Sequence, residues 1–231
     1  MTMKLIALDG PSASGKSSTA RAVAQALGWS HLDSGALYRG LTFIALEIAS
    51  VRRGLIEEVA PREVVDAAEG RGLQLHSDGT TFQVYIDGLP KDGAIRTPDV
   101  TANVSWVSAL PDIRMWVDTR MREMVHGGLE VVIDGRDIGS VVFPEAPLKV
   151  FLTATAEARA SRRLSQRGEE LDRAALKRES AMLAERDRKD SSRPVAPLRQ
   201  PPDALLLDST TLSFEEQVDR IVGWARERGL A

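Results

Sequence analysis

Hydrophobic residues follow two different patterns along this chain. Five short apolar runs, each typical of a buried strand in a parallel sheet, alternate with longer stretches in which apolar residues recur at helical spacing. One such stretch has apolar residues at positions 37, 41, 44, 45 and 48, which would share one face of a helix. We predict strands at residues 4–8, 29–32, 129–133, 148–152 and 204–207. The alternation favours an α/β fold, with a five-stranded parallel sheet flanked by helices.

A different pattern interrupts this alternation. Between residues 73 and 86, apolar and polar residues alternate with a period of two, and the dipeptide Asp78-Gly79 is a hairpin signal. These features predict a small antiparallel β insert. We therefore expect an inserted subdomain over residues 62–96 and a core domain formed by residues 1–61 and 97–231.

Several helix boundaries carry their own sequence signals. Gly28 and Gly168 are typical of residues that end a helix. Thr97-Pro98 has the order of a cap followed by the first helical residue. Ser213-Phe-Glu-Glu216 matches a capping box, which predicts that the last helix begins there.

The composition limits the classes of function. The chain has 231 residues with 43% hydrophobic and 27% charged residues, as in ordinary globular proteins. The absence of cysteine excludes disulfides and thiolate catalysis, and three scattered histidines (His31, His76 and His126) argue against a histidine metal centre. No apolar run approaches the ~20 residues of a membrane helix, so we expect a cytoplasmic protein. A net charge of −3 gives no general attraction for nucleic acid.

The first predicted strand leads directly into a glycine-rich loop. Its sequence, Gly10-Pro-Ser-Ala-Ser-Gly-Lys-Ser17, has the P-loop spacing G-x-x-x-x-G-K-[ST], and a helical stretch follows. The backbone N–H groups of such a loop point at phosphate oxygens, and Lys16 would add a positive charge for the β- and γ-phosphates. Ser17 would supply a hydroxyl for Mg²⁺. The residues that would bind the nucleoside triphosphate are Gly10, Pro11, Ser12, Ala13, Ser14, Gly15, Lys16, Ser17 and Ser18.

Acidic residues follow other predicted strands. Asp134 comes directly after the run ending at Ile133, where P-loop enzymes place the acidic residue of the Mg²⁺ shell. The carboxyl ends of parallel strands form the ligand-binding edge of such a sheet, so we expect Asp134 near Gly10. The alternative is that Asp134 only forms a turn with the following glycine.

The supply of arginine points to phosphorylated substrates. Five arginines lie in or beside motif-like stretches: Arg39, Arg114, Arg136, Arg186 and Arg193. Each alone could be a surface ion-pair partner, but two phosphorylated substrates held together need many guanidinium groups. Residues 159–199 also contain 12 Lys or Arg against 7 Asp or Glu. This basic segment is either a solvated helix face or a segment that closes over phosphates.

With these residues, the chain resembles the bacterial cytidylate kinases, which transfer the γ-phosphoryl group of ATP to CMP. The resemblance runs from Ile6 to the C-terminal helix. The motifs that carry it are Asp9-Gly-Pro-Ser-Ala-Ser-Gly-Lys-Ser17, Leu32-Asp-Ser-Gly-Ala-Leu-Tyr-Arg39, Asp134-Gly-Arg-Asp-Ile-Gly139 with Val142-Phe-Pro144, Glu185-Arg-Asp187 with Asp190 and Arg193, and Val195-Ala-Pro-Leu198. It implies a P-loop fold whose antiparallel insert is the enlarged monophosphate-binding region of the long bacterial form.

The resemblance implies a role for each matching residue. Those that would contact the pyrimidine are Ser34, Arg114, Asp137 and Arg193. Those at the pentose would be Ser105, Arg186 and Asp190, and those at the acceptor phosphate would be Arg39 and Arg136. The catalytic set would be Lys16, Arg136, Arg39 and Asp134, with Ser17 and Asp134 holding Mg²⁺, Asp134 directly or through water. A lid within residues 157–193 would carry Arg159, Arg162, Arg163 and Arg167.

The implied activity is that of an ATP-dependent kinase for CMP and dCMP in pyrimidine metabolism. The partners would be the small-molecule substrates ATP and CMP or dCMP. We expect no binding to nucleic acid or membrane, and we expect a monomer. The acceptor oxygen is already anionic near neutral pH, so positioning and charge neutralisation suffice without a general base. One alternative is a kinase for another monophosphate such as UMP or dTMP. Two alternatives come from other classes of protein. A GTPase switch would need an N-K-x-D stretch to recognise guanine, and this chain has none. An RNA-binding role for residues 159–199 would need interleaved aromatic residues, which that segment lacks.

Overall fold

The computed structural model describes residues 3–126 and 128–231. They fall into two compact units, one formed by residues up to 31 together with residues from 130 onward, the other by residues 32–129. The strands are β1 (Leu5–Asp9), β2 (Ser30–Asp33), β3 (Gln74–Ser77), β4 (Phe82–Ile86), β5 (Leu89–Pro90), β6 (Val131–Gly135), β7 (Leu148–Thr153) and β8 (Leu205–Asp208). The helices are α1 (Lys16–Leu27), α2 (Ser34–Arg52), α3 (Pro61–Gly70), α4 (Pro98–Val107), α5 (Pro111–His126), α6 (Ala156–Arg167), α7 (Arg173–Ser192) and α8 (Phe214–Glu227).

The predicted fold class is confirmed. The five strands β2-β6-β1-β7-β8 form a parallel sheet, and β3-β4-β5 form a separate antiparallel sheet. Each of the five apolar runs became a strand of the parallel sheet. The largest difference is at β6, which begins two residues later than predicted and continues through Asp134 and Gly135. Asp134 is therefore the fourth residue of a strand, not the residue after it.

The parallel sheet forms the centre of the first unit. Every residue of β1 and of β6 is buried, as expected of strands covered on both faces. On one face, Val23 of α1 and Ile221 of α8 pack in a cluster that includes Ile6 and Val132. Each fully buried aliphatic side chain of this kind stabilises the fold by about 1.5–3 kcal/mol. The continuous apolar runs thus fix the strands whose ends carry the polar residues described below.

The turn after β1 requires glycine. Gly10 has φ +153°, and a Cβ atom built there would lie 2.0 Å from the carbonyl oxygen of Leu152 on β7. No side chain fits so close to a neighbouring backbone. Gly10 therefore lets the chain turn out of β1 against β7 and start the P-loop.

The second unit combines α2 with the antiparallel sheet. Gly40 of α2 lies close to Leu73, because a Cβ atom built at Gly40 would be 2.8 Å from a Leu73 methyl group. Val84 and Ile86 of β4 are fully buried, so the period-two pattern buries one face of the small sheet. The boundaries of the inserted subdomain, residues 62–96, stay a prediction.

The predicted helix signals are confirmed at the described ends. Gly28 and Gly168 end α1 and α6 with φ +70° and +68°. Thr97 accepts a hydrogen bond from the backbone N–H of Val100, and Ser213 begins α8 in a capping box. A short π-helical turn at residues 138–142 had no sequence signal. None of the helices within the described ranges combines the length and apolar composition that a bilayer crossing demands.

Candidate active site

The P-loop has the curled backbone that a phosphate site needs. Gly10, Ala13 and Gly15 all have positive φ, at +153°, +58° and +92°. Helix α1 begins at Lys16, directly after Gly15. The first N–H groups of this helix and the positive end of its dipole therefore face the loop, where an anion is stabilised.

Lys16 is buried inside this loop, with only 5% of its surface exposed. Its ammonium group donates to the carbonyl oxygen of Pro11 at 2.8 Å and contacts the hydroxyl of Ser14 at 3.5 Å. Burial lowers the pKa of Lys16 to about 7, and the positive charge of Arg136 adds to that effect. A phosphate anion beside Lys16 would favour its charged form and so offset the cost of burial.

Ser17 and Asp134 are in direct contact. The Ser17 hydroxyl donates to one carboxylate oxygen of Asp134 at 2.6 Å, and Nε2 of His31 lies 2.7 Å from the other. Burial raises the pKa of Asp134, but the hydrogen bonds from His31 and Ser17 and the electrostatic attraction of His31 and Lys16 together hold the pKa below its ordinary value. The carboxylate is thus ionised and oriented at neutral pH, with a hydroxyl beside it. A hydroxyl and a carboxylate are hard oxygen ligands of the kind that Mg²⁺ binds.

Asp9, the last residue of β1, is also buried. Its two carboxylate oxygens accept hydrogen bonds from the backbone N–H groups of Ile138 and Gly139 at 2.8 and 2.7 Å. Burial raises the pKa of Asp9 to about 6, although these two hydrogen bonds lower it. Asp9 therefore holds the start of the π-helical turn, directly after the segment that carries Arg136 and Asp137.

Two ion pairs join this segment to residues at the end of α7. Nε of Arg136 donates to Asp190 at 3.1 Å, and a terminal nitrogen of Arg193 donates to Asp137 at 3.2 Å. Asp190, Arg193 and Asp137 are all buried. Arg186 lies one turn before Asp190 on α7, and its charge also lowers the pKa of Lys16. Five of the predicted acceptor-binding residues thus lie in the first unit, where each forms an ion pair with another of the five or acts on the charge of Lys16.

The other predicted acceptor-binding residues belong to the second unit. Arg39 on α2 donates to the hydroxyl of Thr101 on α4 at 3.0 Å. Arg114 is buried, donates to the carbonyl oxygen of Ser108 at 3.0 Å and lies 5.4 Å from the ring centre of Tyr38. The two serines differ in exposure: Ser34 is buried and Ser105 is half-buried.

The predicted lid arginines have different partners. Arg159 and Arg162 both reach P-loop carbonyl groups, those of Ser12 at 2.9 Å and Ser14 at 3.5 Å. Arg167 instead forms ion pairs with Glu169 and Glu179. Two of the four arginines thus contact the loop itself, a distinction that the sequence left open.

Comparison with known proteins agrees with this geometry. A model of the family "Cytidylate kinase" matches residues 6–227. The cytidylate kinase of Chromobacterium violaceum is 42% identical over 232 residues, which cover 99% of this chain and 98% of that protein. The cytidylate kinase of Pseudomonas aeruginosa is 44% identical over 232 residues, which cover 97% and 96%. The chain belongs to the cytidylate kinase family.

A solved structure supports the fold alone. An uncharacterized protein from Eubacterium ventriosum aligns with a TM-score of 0.53 and 12% sequence identity, covering 98% of this chain and 99% of that one. At such low identity the likeness says nothing about substrates. The family assignment therefore depends on the sequence matches.

Three residues that contact the candidate site, Asp9, His31 and Asp187, were not predicted from the sequence as functional residues. Asp9 and His31 make the contacts given above, and Asp187 accepts a hydrogen bond from the backbone N–H of the P-loop residue Ser12. In the sequence, His31 is one of three scattered histidines, and Asp9 and Asp187 are parts of the quoted motifs. Asp9 could have been found from its place directly after the apolar run 5–8, since a charged group that is buried with such a run must have hydrogen-bond partners. His31 could be found only from the sheet order, which puts β2 beside β6 and Asp134.

Proposed function

We propose that this chain transfers the γ-phosphoryl group of ATP to CMP, and to dCMP, giving ADP and CDP or dCDP. The observation that carries the proposal is the buried Lys16 inside a P-loop, with the charges of Arg136 and Arg186 acting on it, in a chain of the cytidylate kinase family. The P-loop supports a triphosphate donor. The relatives described above are named cytidylate kinase, which supports CMP as the acceptor.

On the donor side, the P-loop would bind the β- and γ-phosphates. Its backbone N–H groups and the start of α1 favour anions without moving, because the loop is already curled. Lys16 lies within this loop and would neutralise charge that develops on the transferred group. Its position against Pro11 keeps the ammonium oriented before any substrate arrives.

The residues present fit a magnesium ion. Ser17 and Asp134 would hold it, Ser17 through its hydroxyl and Asp134 directly or through water. When bound, Mg²⁺ neutralises negative charge on the phosphates of ATP. His31 keeps the Asp134 carboxylate in one orientation. Among residues 3–126 and 128–231 no cluster of three His, Asp or Glu side chains could hold a metal by protein ligands alone. Mg²⁺ generally uses few protein ligands together with the phosphates of its substrate.

On the acceptor side, arginines would bind the monophosphate. Arg136 donates through Nε to Asp190 and through one terminal nitrogen to the carbonyl oxygen of Gly135 at 3.4 Å, which holds its charge in place. A guanidinium has five N–H donors, so others can bind a phosphate. Arg193, which the resemblance assigns to the pyrimidine, is oriented by its ion pair with Asp137. The acceptor oxygen is anionic near neutral pH, and no catalytic histidine is needed. Contacts of Arg39, Ser34, Ser105 and Arg114 with the acceptor stay predictions.

An ADP-release assay with a panel of acceptors tests the proposal. We expect ATP turnover that depends on CMP or dCMP, with kcat/KM for these at least tenfold above UMP and dTMP. Faster turnover of UMP or dTMP would establish the alternative acceptor. ADP release that is the same with and without any monophosphate would contradict a kinase function. Light scattering of the same sample checks the predicted monomer.

A further inference from the structure

Both backbone groups of Ser12, the third P-loop residue, are held by side chains from the two helices of the predicted lid. The Ser12 N–H donates to Oδ1 of Asp187 on α7 at 2.8 Å, and its carbonyl oxygen accepts from Arg159 on α6 at 2.9 Å. The same Arg159 nitrogen also donates to the other carboxylate oxygen of Asp187. These contacts close a ring through Ser12, Arg159 and Asp187, which we call the P-loop ring.

The P-loop ring is shielded from water. The side chains of Arg159 and Asp187 are 9% and 17% exposed. Arg159 is fixed further by a 3.1 Å hydrogen bond from its Nε to the carbonyl oxygen of Ala154. A buried ion pair with its hydrogen bonds satisfied has a defined geometry, and removing one partner leaves the other charge uncompensated. The ring can therefore transmit the position of α6 and α7 to the loop.

The residue after Ser12 explains why the loop needs such a support. Ala13 has φ +58°, the left-handed conformation that alanine rarely adopts. A backbone held in this region persists only where the surrounding structure determines it. The P-loop ring fixes both peptide groups of the preceding residue. It thereby favours the left-handed conformation at Ala13 over more relaxed alternatives.

We propose that Asp187 and Arg159 are positioning residues that hold the P-loop in the conformation that binds the triphosphate. Neither residue needs to touch the phosphates for this role, since both act through Ser12. The proposal deepens the proposed function, and it rests on that function in taking ATP as the ligand. It predicts that damage to the P-loop ring weakens donor binding and leaves acceptor binding unchanged.

Calorimetric titration of Asp187→Asn with a non-hydrolysable ATP analogue and Mg²⁺ tests this directly. Asparagine can still accept from the Ser12 N–H, but its amide group opposes the donors of Arg159. We expect the Kd for the analogue to rise about tenfold and the Kd for CMP to stay within twofold. The matched control is Glu185→Gln, two residues earlier on α7, whose ion pair with Arg188 is exposed and lies within the helix. Its two Kd values should equal those of the parent protein.

A second substitution separates positioning from general damage. Glycine adopts positive φ without the cost that alanine has, so Ala13→Gly should recover about fivefold of the lost affinity in the Asp187→Asn background. In the parent protein, where the P-loop ring already holds the loop, the gain in affinity from the same change should be smaller than in the Asp187→Asn background. Should Asp187→Asn fail to fold, Arg159→Lys takes its place, because one ammonium group cannot reproduce all the contacts of the guanidinium.

Three results would overturn the proposal. One is an unchanged Kd for the ATP analogue in a folded ring variant, and another is equal weakening of the analogue and CMP. The third is failure of both Asp187→Asn and Arg159→Lys to fold, since the ring would then serve folding rather than positioning. The titration needs no turnover. A parent protein that binds the analogue but does not phosphorylate CMP would contradict the proposed function and still give a result for the ring.

Discussion

Two groups of charged residues, one in each unit, occupy opposite environments. In the first unit, Lys16 at the start of α1 and Asp134 in β6 are at most 5% exposed. In the second unit, Arg71 bridges Glu47 and Asp87, and these three side chains are 30–47% exposed. Burying a charge costs several kcal/mol unless partners compensate, whereas an exposed ion pair contributes about 0–1 kcal/mol. Stability alone accounts for the exposed pairs but not for the buried cluster.

The pKa shifts in the buried cluster support this difference. Burial moves the pKa of Lys16 down to about 7 and that of Asp9 up to about 6, in each case toward the neutral form. Asp134 shifts the other way, because His31 and Ser17 donate to it. The fold therefore disfavours the charged forms of Lys16 and Asp9, and phosphoryl transfer gives a reason for placing a lysine at position 16 in spite of this cost.

Replacing Lys16 by methionine should separate function from stability most strongly. We expect kcat to fall by roughly 10²–10³-fold or more, since a charge on the transferring phosphate is lost. Because a buried ammonium group disappears, the free energy of unfolding at pH 7 should be unchanged or about 1 kcal/mol higher. ADP release and urea unfolding measure the two quantities. Lys4→Met, at an exposed lysine paired with Glu130, is the control and should keep full activity. Activity of Lys16→Met within a few-fold of the parent would contradict the P-loop assignment.

Asp9 should make the stability of the protein depend on pH. Folded Asp9 keeps its proton up to about pH 6, whereas the unfolded chain releases it near the ordinary value of 3.8. The folded state therefore holds the extra proton between these pH values, and the free energy of unfolding falls as pH rises through that window. Between pH 4 and pH 6.5 the expected loss is about 2 kcal/mol relative to Asp9→Asn, which cannot titrate. Urea unfolding of both proteins from pH 4 to pH 6.5 checks this, and parallel curves would show that Asp9 is not perturbed.

Asp190 should affect the choice between ribose and deoxyribose. The resemblance puts Asp190 at the pentose, and the structure pairs its carboxylate with Arg136. We expect Asp190→Asn to lower kcat/KM for both CMP and dCMP, because Arg136 loses its partner. The ratio of kcat/KM for CMP over dCMP should also fall about fivefold, the equivalent of ~1 kcal/mol for one hydroxyl contact. An unchanged ratio would limit Asp190 to positioning Arg136.

Arg71→Gln should have the smallest effect. Its ion pairs with Glu47 and Asp87 lie at the surface, so we expect the free energy of unfolding to change by no more than about 1 kcal/mol. The kcat for CMP should stay within twofold of the parent value. Thermal unfolding and ADP release measure both. A loss of activity above tenfold would show that exposed charges of the second unit take part in function, and the comparison of the two units would fail.

Local signals in the sequence were enough to predict the strands, the helices and the P-loop. The apolar runs, the caps at Thr97 and Ser213, and the spacing from Gly10 to Ser17 are all properties of neighbouring residues. The structure confirms the strands and helices that these signals predict. The lysine and hydroxyl of the P-loop follow from the same spacing.

The contacts that hold the site residues in place could not be predicted from local signals. His31 meets Asp134, and Asp187 meets Ser12, only after the sheet order and the packing of α7 are known. Many aspartates are chemically equivalent in the sequence, and no local pattern distinguishes the one that meets a loop N–H. The pairing of Arg136 with Asp190, and of Arg193 with Asp137, could not be predicted for the same reason.

Phosphorus NMR of ATP and CMP mixed with the parent protein and Mg²⁺ is the most direct test of the central claim. If the buried charges serve phosphoryl transfer to a nucleotide, ADP and CDP should appear in equal amounts, with inorganic phosphate below about a tenth of either. Omitting CMP should stop ATP consumption. Inorganic phosphate as the main product, or ATP consumption that does not depend on CMP, would contradict the account.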